Sequence, residues 1–290
     1  MKESHLIRHP LQSAGVYHKI TAENAGWTHL NMEARLMAQG EVWEGYTGEN
    51  EYVFVLLSGN YSVSTDRGNW ETTNGRKSVF DGIAHTLYLS RRTSFSLVAT
   101  SGLLDIAAGW CPVKEDYPAK LKLPEEAAIE IRGGDNATRQ INSLVEPGFG
   151  CSKMIAVEVY TPSGNWSSFP AHKHDQRKVD DNGVVTEACL EEFYFYKIDK
   201  PTGYALQQVY TADGSLNELM QLRNNDLAII PKGYHPVVAA HGYNCYYLNF
   251  LSGSDQSLAN TPDPDHQWIF NTWKGIDSRV PVVKAAMNRQ

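Results

Sequence analysis

The chain consists largely of short runs rich in Val, Tyr, Phe and Thr, each closed by Gly, Asn, Asp or Pro. Such runs occupy residues 51–57, 61–65, 86–89 and 94–100. β-branched and aromatic residues favour strands, and the turn residues allow the chain to reverse between them. Few stretches have a helical period, and the best of them, 124–128 and 282–288, are short. Closely spaced strands without alternating helices predict an all-β fold of the sandwich or barrel type.

The chain is long enough for more than one domain. Its 290 residues, 42% of them hydrophobic, can fill two ordinary cores. The stretch 116–134 (DYPAKLKLPEEAAIEIRGG) is charged, interrupted by proline and poor in aromatic residues, which is typical of an interdomain connector. We therefore predict one domain at residues 1–134 and a second at residues 135–290.

Charge and cysteine content narrow the possible partners. A formal net charge of −7 offers no basic surface, which argues against nucleic acid and anionic membranes as partners. The N-terminus lacks the apolar core of a signal peptide, and no segment reaches about 18 apolar residues. The four cysteines do not have the spacing of a zinc ribbon or a redox pair, so we expect reduced thiols. These features predict a cytoplasmic protein that binds a small molecule.

Two histidines and two glutamates stand out between residues 161 and 251. His172 and His174 are separated by one residue, and in a strand their side chains would point to the same face. Glu191 and Glu192 head the aromatic run LEEFYFYKI. Because neighbouring side chains on a strand point to opposite faces, one glutamate at most can join the histidines. Alternation does not say which.

A third histidine follows a turn further along the chain. His235 comes directly after Pro-Lys-Gly, and His241 competes with it as a ligand. Three imidazoles and a carboxylate would suit zinc, manganese, iron or nickel, and separate unrelated histidines are the alternative. Lys232 in the turn could meet an anionic substrate or be a solvated turn residue. A Gly-x-Ser-x-Gly nucleophile motif and a phosphate-binding loop are both absent from the sequence.

These residues carry a resemblance to a known family. His-x-His, a glutamate before an aromatic strand, and a Pro-x-Gly turn followed by His resemble the two motifs of a cupin barrel. Longer stretches resemble the 5-deoxy-glucuronate isomerases of bacterial myo-inositol catabolism, namely TPSGNWSSFPAHKHD, LEEFYFYKI, VYTADGSLNE and IPKGYHPVVAAHGYNCYYLNFLSG. The resemblance implies a bicupin whose N-terminal barrel lacks the metal motif. The first half agrees, because it has no His-x-His and has LSRRTS at residues 89–94 where a metal-binding cupin would have its Pro-x-Gly and His.

The resemblance also implies a metal site and a reaction. Compared with the related 5-keto-4-deoxyuronate isomerases, the matching ligands are His172, His174, Glu191 and His235. The implied cofactor is a divalent metal ion, zinc in preference to manganese or iron. The implied reaction converts 5-deoxy-D-glucuronate to 2-deoxy-5-keto-D-gluconate, an aldose–ketose isomerisation in which the metal stabilises an enediolate. A homo-oligomer is expected.

The remaining roles are less closely defined. The catalytic base is left open between Tyr210, Glu192 and a metal-bound hydroxide, and Lys232 and Gln207 are the predicted substrate-binding residues. The sequence departs from the family pattern in having Ala171 for a second proline, Gln208 for an arginine, and a longer segment at residues 175–190. The rival hypotheses are a related uronate isomerase, a cupin dioxygenase and a sugar-binding cupin without catalytic activity.

Overall fold

The computed structural model describes residues 4–8 and 14–285 of the chain. Strands dominate it, and the predicted all-β fold is confirmed. One short helix, α1, spans Ala22–Ala25. Four 3-10 helices lie at Val79–Asp81, Pro124–Glu126, Asp135–Ala137 and Pro264–Asn271.

The four strands predicted from the sequence are all present, within one or two residues of their expected ends. The candidate helix at 124–128 is reduced to a single 3-10 turn, and the end of the candidate at 282–288 lies outside the described residues. No helix among residues 4–8 and 14–285 is long and apolar enough to cross a membrane. The strands in chain order are β1 Leu6–Ile7, β2 Gly15–Ile20, β3 Asn31–Ala38, β4 Val42–Tyr46, β5 Asn50–Ser58, β6 Tyr61–Thr65, β7 Gly68–Glu71, β8 Thr86–Leu89, β9 Ser94–Ala99, β10 Leu103–Pro112, β11 Lys120–Lys122, β12 Ala128–Arg132, β13 Arg139–Val145, β14 Ile155–Thr161, β15 Trp166–Ser167, β16 His172–Lys173, β17 Asp175–Val179, β18 Val185–Ile198, β19 Ala205–Tyr210, β20 Asn217–Leu222, β21 Leu227–Ile230, β22 Val237–Ala239, β23 Cys245–Gly253 and β24 Thr261–Pro262.

The chain divides into two compact units, and neither is continuous in sequence. The N-terminal unit contains residues 14–128, Ser143–Ala156 and 283–285, and the C-terminal unit contains residues 4–8, Ile129–Asn142 and Val157–Val282. The predicted domain boundary between residues 134 and 135 lies near the main division of the chain. Each unit also contains a segment from the other half of the chain, so a single boundary does not separate the two units. Strand β1, for example, joins the C-terminal unit by pairing with the edge strand β21.

The N-terminal unit encloses an apolar interior. Its strands form a six-stranded sheet, β11-β8-β5-β10-β3-β2, and a four-stranded sheet, β4-β9-β6-β7. Buried side chains from both sheets, including Phe54, Leu56, Leu87 and Leu97, form one hydrophobic cluster. Among the described residues, the single His/Cys/Asp/Glu group able to hold a metal ion lies in the other unit.

The C-terminal unit is organised around the long strand β18. It pairs with β23 on one side and with β21 on the other, within the sheet order β1-β21-β18-β23-β14-β13-β12. A four-stranded sheet, β15-β22-β19-β20, and the pair β16-β24 complete the unit. The longer segment at residues 175–190 is the hairpin of β17 and the first part of β18. Strand β17 follows directly after β16, and the hairpin connects β16 to β18.

Candidate metal centre

Three histidines meet inside the C-terminal unit. His172 lies on β16 and His174 follows it, with ring centroids 6.2 Å apart. The ring of His235, which precedes β22, is 4.9 Å from that of His172 and 5.0 Å from that of His174. One nitrogen from each ring lies within 4.8 Å of the other two. The structure thus brings together the three histidines selected from the sequence, whereas His241 is exposed at the surface.

The carboxylate beside the histidines is that of Glu192. Its Oε2 is 3.0 Å from Nε2 of His174 and 3.3 Å from Nε2 of His235, and the side chain is only 5% exposed. Glu191 is half-buried, and strand alternation turns it to the opposite face of β18. The prediction of Glu191 is therefore corrected to Glu192. The sequence motif located the pair, but the orientation of β18 in the sheet decided which member faces inward.

A tight turn fixes the orientation of the His235 ring. Gly233 has a φ of +87°, and a Cβ there would lie 2.3 Å from the backbone oxygen of Tyr210, so only glycine fits. The Nδ1 of His235 donates a hydrogen bond to the carbonyl oxygen of Gly233 at 2.9 Å. The Nε2 atom is buried and makes no hydrogen bond within the described part of the chain. This arrangement directs an unshared electron pair into the cluster, as in metal-binding histidines.

The electrostatics of the cluster favour neutral imidazoles at two positions. Burial lowers the pKa of His172 well below its usual value, and the neighbouring histidines lower it further. Burial also lowers the pKa of His235, to about 4. Burial acts in the same direction on His174, but the hydrogen bond and charge of Glu192 outweigh it and raise the pKa of this histidine. Three imidazoles and one carboxylate form a donor set that fits a divalent transition metal.

Polar side chains continue from the cluster into the interior. The ring of Tyr194 is 5.9 Å from that of His235, and its hydroxyl is 3.2 Å from that of Ser168. The hydroxyl of Tyr196 donates to Oε1 of Gln207 at 2.9 Å. Gln207 is fully buried, and its Nε2 has no hydrogen-bond partner among residues 4–8 and 14–285. An unpaired buried amide is costly, so Gln207 is suited to donate to a bound molecule.

Two predicted site residues lie elsewhere. Tyr210 is three positions from Gln207 on β19 and therefore faces the other side of the strand, where its hydroxyl donates to Asp263 at 2.5 Å. Burial and Asp263 both raise its pKa, which makes Tyr210 a poor base. Lys232 is exposed and lines a surface cavity with residues such as Glu218. Within the described part of the chain, no hydrogen bond or ring contact joins either residue to the three histidines.

Sequence reasoning missed the tyrosine and serine next to the cluster. Tyr194 shares a face with Glu192, since the two are separated by one residue on β18. Choosing Glu192 over Glu191 would therefore have identified Tyr194 as well. Ser168 carries no comparable signal, because it lies between β15 and β16 and reaches the interior only through the path of the loop.

Comparison with known proteins identifies the family to which the chain belongs. The family model described as the KduI/IolB family matches residues 5–269. The chain belongs to the KduI/IolB family. Among its curated relatives, the 5-deoxy-glucuronate isomerase of Geobacillus kaustophilus is 36% identical over 255 residues, which cover 88% of this chain and 90% of that protein. The 5-deoxy-glucuronate isomerase of Bacillus subtilis strain 168 is 34% identical over 273 residues, covering 92% and 98% of the two chains.

Solved structures of similar proteins share the fold. The crystal structure of an IolB-like protein from Salmonella typhimurium LT2 has a TM-score of 0.86 and 33% identity, covering 91% of this chain and 98% of that one. Oxalate decarboxylase of Bacillus subtilis has a TM-score of 0.57 at 12% identity, covering 88% and 77% of the two chains, and shows the fold alone. The predicted bicupin architecture of this family member is therefore confirmed.

Proposed function

We propose that the protein is a metal-dependent aldose–ketose isomerase that converts 5-deoxy-D-glucuronate to 2-deoxy-5-keto-D-gluconate in inositol catabolism. The observation that carries the proposal is the largely buried cluster of three histidines with Glu192 in a chain 36% identical to a 5-deoxy-glucuronate isomerase over 88% of its length. Family likeness supports the reaction, and the donor set supports the dependence on a metal.

In this proposal His172, His174, His235 and Glu192 hold one divalent ion. Zinc is the expected ion, because three imidazoles and one carboxylate match the ligands that it prefers. A bound ion would act as a Lewis acid on the carbonyl and neighbouring hydroxyl of the sugar. The hydrogen bond from His235 to the Gly233 carbonyl would keep its Nε2 available for binding.

The chain itself supplies donors for the sugar. Burial raises the pKa of Tyr194 well above its usual value, so its hydroxyl stays protonated at neutral pH and can donate a hydrogen bond. Gln207 offers two N–H groups from its buried amide. Both residues stand on interior faces, and we propose that they orient the sugar hydroxyls relative to the histidines.

An isomerase assay on 5-deoxy-D-glucuronate, with and without a chelator, tests the proposal. We expect the chelator to abolish turnover, added zinc to restore it better than manganese or iron(II), and His174→Ala to remove both metal and activity. His241→Ala is the matched control, because this histidine is exposed, and it should retain both. Turnover that is insensitive to the chelator would contradict the metal mechanism.

The same preparation separates the isomerase from the other classes. An isomerase should work without oxygen and should incorporate solvent deuterium at the carbon next to the carbonyl. Oxygen uptake with bound iron would instead indicate a dioxygenase. Tight sugar binding without deuterium incorporation would indicate a binding protein. Light scattering after gel filtration tests the accompanying prediction of a homo-oligomer.

A further inference from the structure

Arg139 is a buried arginine near the candidate metal centre. It opens β13 and is only 8% exposed. Its Nη1 donates to the carbonyl oxygen of Ala137 at 3.3 Å and to that of Phe169 at 3.2 Å. Gly133 permits this arrangement, because a Cβ there would lie 2.1 Å from the Ala137 oxygen and 3.0 Å from Nη1 of Arg139. The backbone thus holds one end of the guanidinium in place.

The other edge of the guanidinium has no protein partner. Within residues 4–8 and 14–285, Nε and Nη2 of Arg139 make no hydrogen bond, and no carboxylate forms an ion pair with it. The Nε–Nη2 edge is one of the two guanidinium edges that bind a carboxylate through two parallel hydrogen bonds. Arginine stays charged, and a buried charge is costly unless it is paired. These features indicate a site prepared for an anion.

Arg132 shows how an ordinary arginine in the same segment is used. It is 43% exposed, and its Nε and Nη2 bind both carboxylate oxygens of Glu130 at 2.7 and 2.9 Å. Its carboxylate-binding edge is therefore occupied within the chain. The unpaired Nε–Nη2 edge therefore distinguishes Arg139 from the other arginine in the same segment.

Arg139 faces the same interior as the histidine cluster. Phe169, whose carbonyl it binds, lies three residues before His172 and directly after Ser168, whose hydroxyl is 3.2 Å from that of Tyr194. The hydroxyl of Ser168 also approaches that of Tyr247, and the ring of Tyr194 is 5.9 Å from that of His235. A bound molecule could therefore extend from the cluster towards the guanidinium.

We propose that Arg139 binds the carboxylate of the substrate and makes the site selective for sugar acids over neutral sugars. The inference rests on the proposed isomerase function. The reacting carbonyl and hydroxyl lie at one end of a 5-deoxy-uronate and the carboxylate at the other, so the histidines and Arg139 engage opposite ends. Arg139 thereby supplies a buried cation for the substrate, whereas Lys232 is exposed.

The test compares an acidic and a neutral substrate. The two are 5-deoxy-D-glucuronate and its counterpart in which a primary alcohol replaces the carboxylate. In Arg139→Gln we expect kcat/KM for the acid to fall by about 10²- to 10³-fold, which is the typical effect of removing one partner of a buried charged pair. The neutral counterpart should change by less than about 3-fold, because its binding does not use the charge. Arg139→Lys keeps the charge without the two-point geometry and should give an intermediate loss for the acid.

Arg132→Gln is the matched control and should leave both substrates within about 3-fold of the unmodified protein. Zinc content and melting temperature are measured for every variant. An equal loss for both substrates in Arg139→Gln, with zinc retained, would show a purely structural role and overturn the proposal. If Arg139→Gln does not fold, Arg139→Lys decides the question, since an unchanged preference for the acid in that variant would also overturn it.

A binding measurement keeps this inference separate from the proposed reaction. Calorimetry with gluconate and with sorbitol, which differ in a carboxylate and an alcohol, requires no turnover. The unmodified protein should bind gluconate more tightly, and Arg139→Gln should remove that difference. Equal binding of the two by the unmodified protein would overturn the role of Arg139. A gluconate preference in a protein that does not isomerise 5-deoxy-D-glucuronate would instead overturn the proposed reaction and leave the anion site standing.

Discussion

Replacing Glu192 by glutamine is the sharpest test of the corrected ligand set. The change keeps the size of the side chain and removes its charge. Glu192 Oε2 lies 3.0 and 3.3 Å from nitrogens of two of the three histidines, in a place that is 5% exposed. Water cannot easily replace a ligand there. Loss of a residue that only supports a ligand weakens metal binding by about 10- to 100-fold. We therefore expect Glu192→Gln to weaken metal binding by at least about 100-fold, which equals about 2.7 kcal/mol of binding free energy.

Two measurements report this loss. The zinc dissociation constant is obtained by competition with a chelator of known affinity, and zinc per chain is measured after gel filtration. Zinc present at 100 times the original dissociation constant should stabilise the unmodified protein against unfolding by about 2.7 kcal/mol. At the same zinc concentration, a 100-fold weaker site leaves about 0.4 kcal/mol, so most of the zinc-induced rise in melting temperature should disappear.

Glu191→Gln is the matched control for this experiment. The two glutamates are neighbours on β18 and differ in which face they occupy. Glu191→Gln should keep the zinc affinity within about 3-fold, because its side chain points away from the histidines. If Glu191→Gln lost the metal and Glu192→Gln retained it, the assignment made from the orientation of the strand would be refuted.

Three other substitutions test the surroundings of the site and the N-terminal unit. Hydrogen bonds from Lys173, Lys178 and Thr261 outweigh burial and hold the pKa of Glu187 at about 2. The contribution of this carboxylate to the free energy of unfolding is therefore complete above its unfolded pKa near 4.5 and is lost as pH falls towards 2. Urea unfolding should show this loss, about 3 kcal/mol, in the unmodified protein and much less of it in Glu187→Gln. Glu51 accepts hydrogen bonds from the backbone N–H groups of residues 152–154, and an amide in its place cannot accept them all. Glu51→Gln should therefore lower the free energy of unfolding, measured by urea denaturation, by about 2–4 kcal/mol. Tyr210→Phe should change kcat/KM by less than about 3-fold, since its hydroxyl faces Asp263; a loss of 100-fold or more would restore it as a catalytic residue.

The sequence located the candidate site closely but not completely. The separation of His172 and His174 by one residue and the position of His235 after a Pro-Lys-Gly turn were enough to select the three histidines that the structure brings together. The choice between Glu191 and Glu192 failed because it rested on position in the family motif, and a shift of one residue along a strand reverses the face on which a side chain lies. The same limitation affected Tyr210, which was considered without its register relative to Gln207.

The sequence by itself determined the short strands and the residues from which the candidate metal site is drawn, namely three histidines and a pair of adjacent glutamates. Local residue types specify these features, because strand propensity, turn chemistry and ligand identity depend on the residues themselves. Only the tertiary structure decided that Glu192 faces the histidines, that Gln207 has an unpaired buried amide, and that Arg139 offers a free guanidinium edge. These properties depend on which side of a strand is enclosed and on what remains unpaired after packing, and both are set by contacts between residues far apart in the chain.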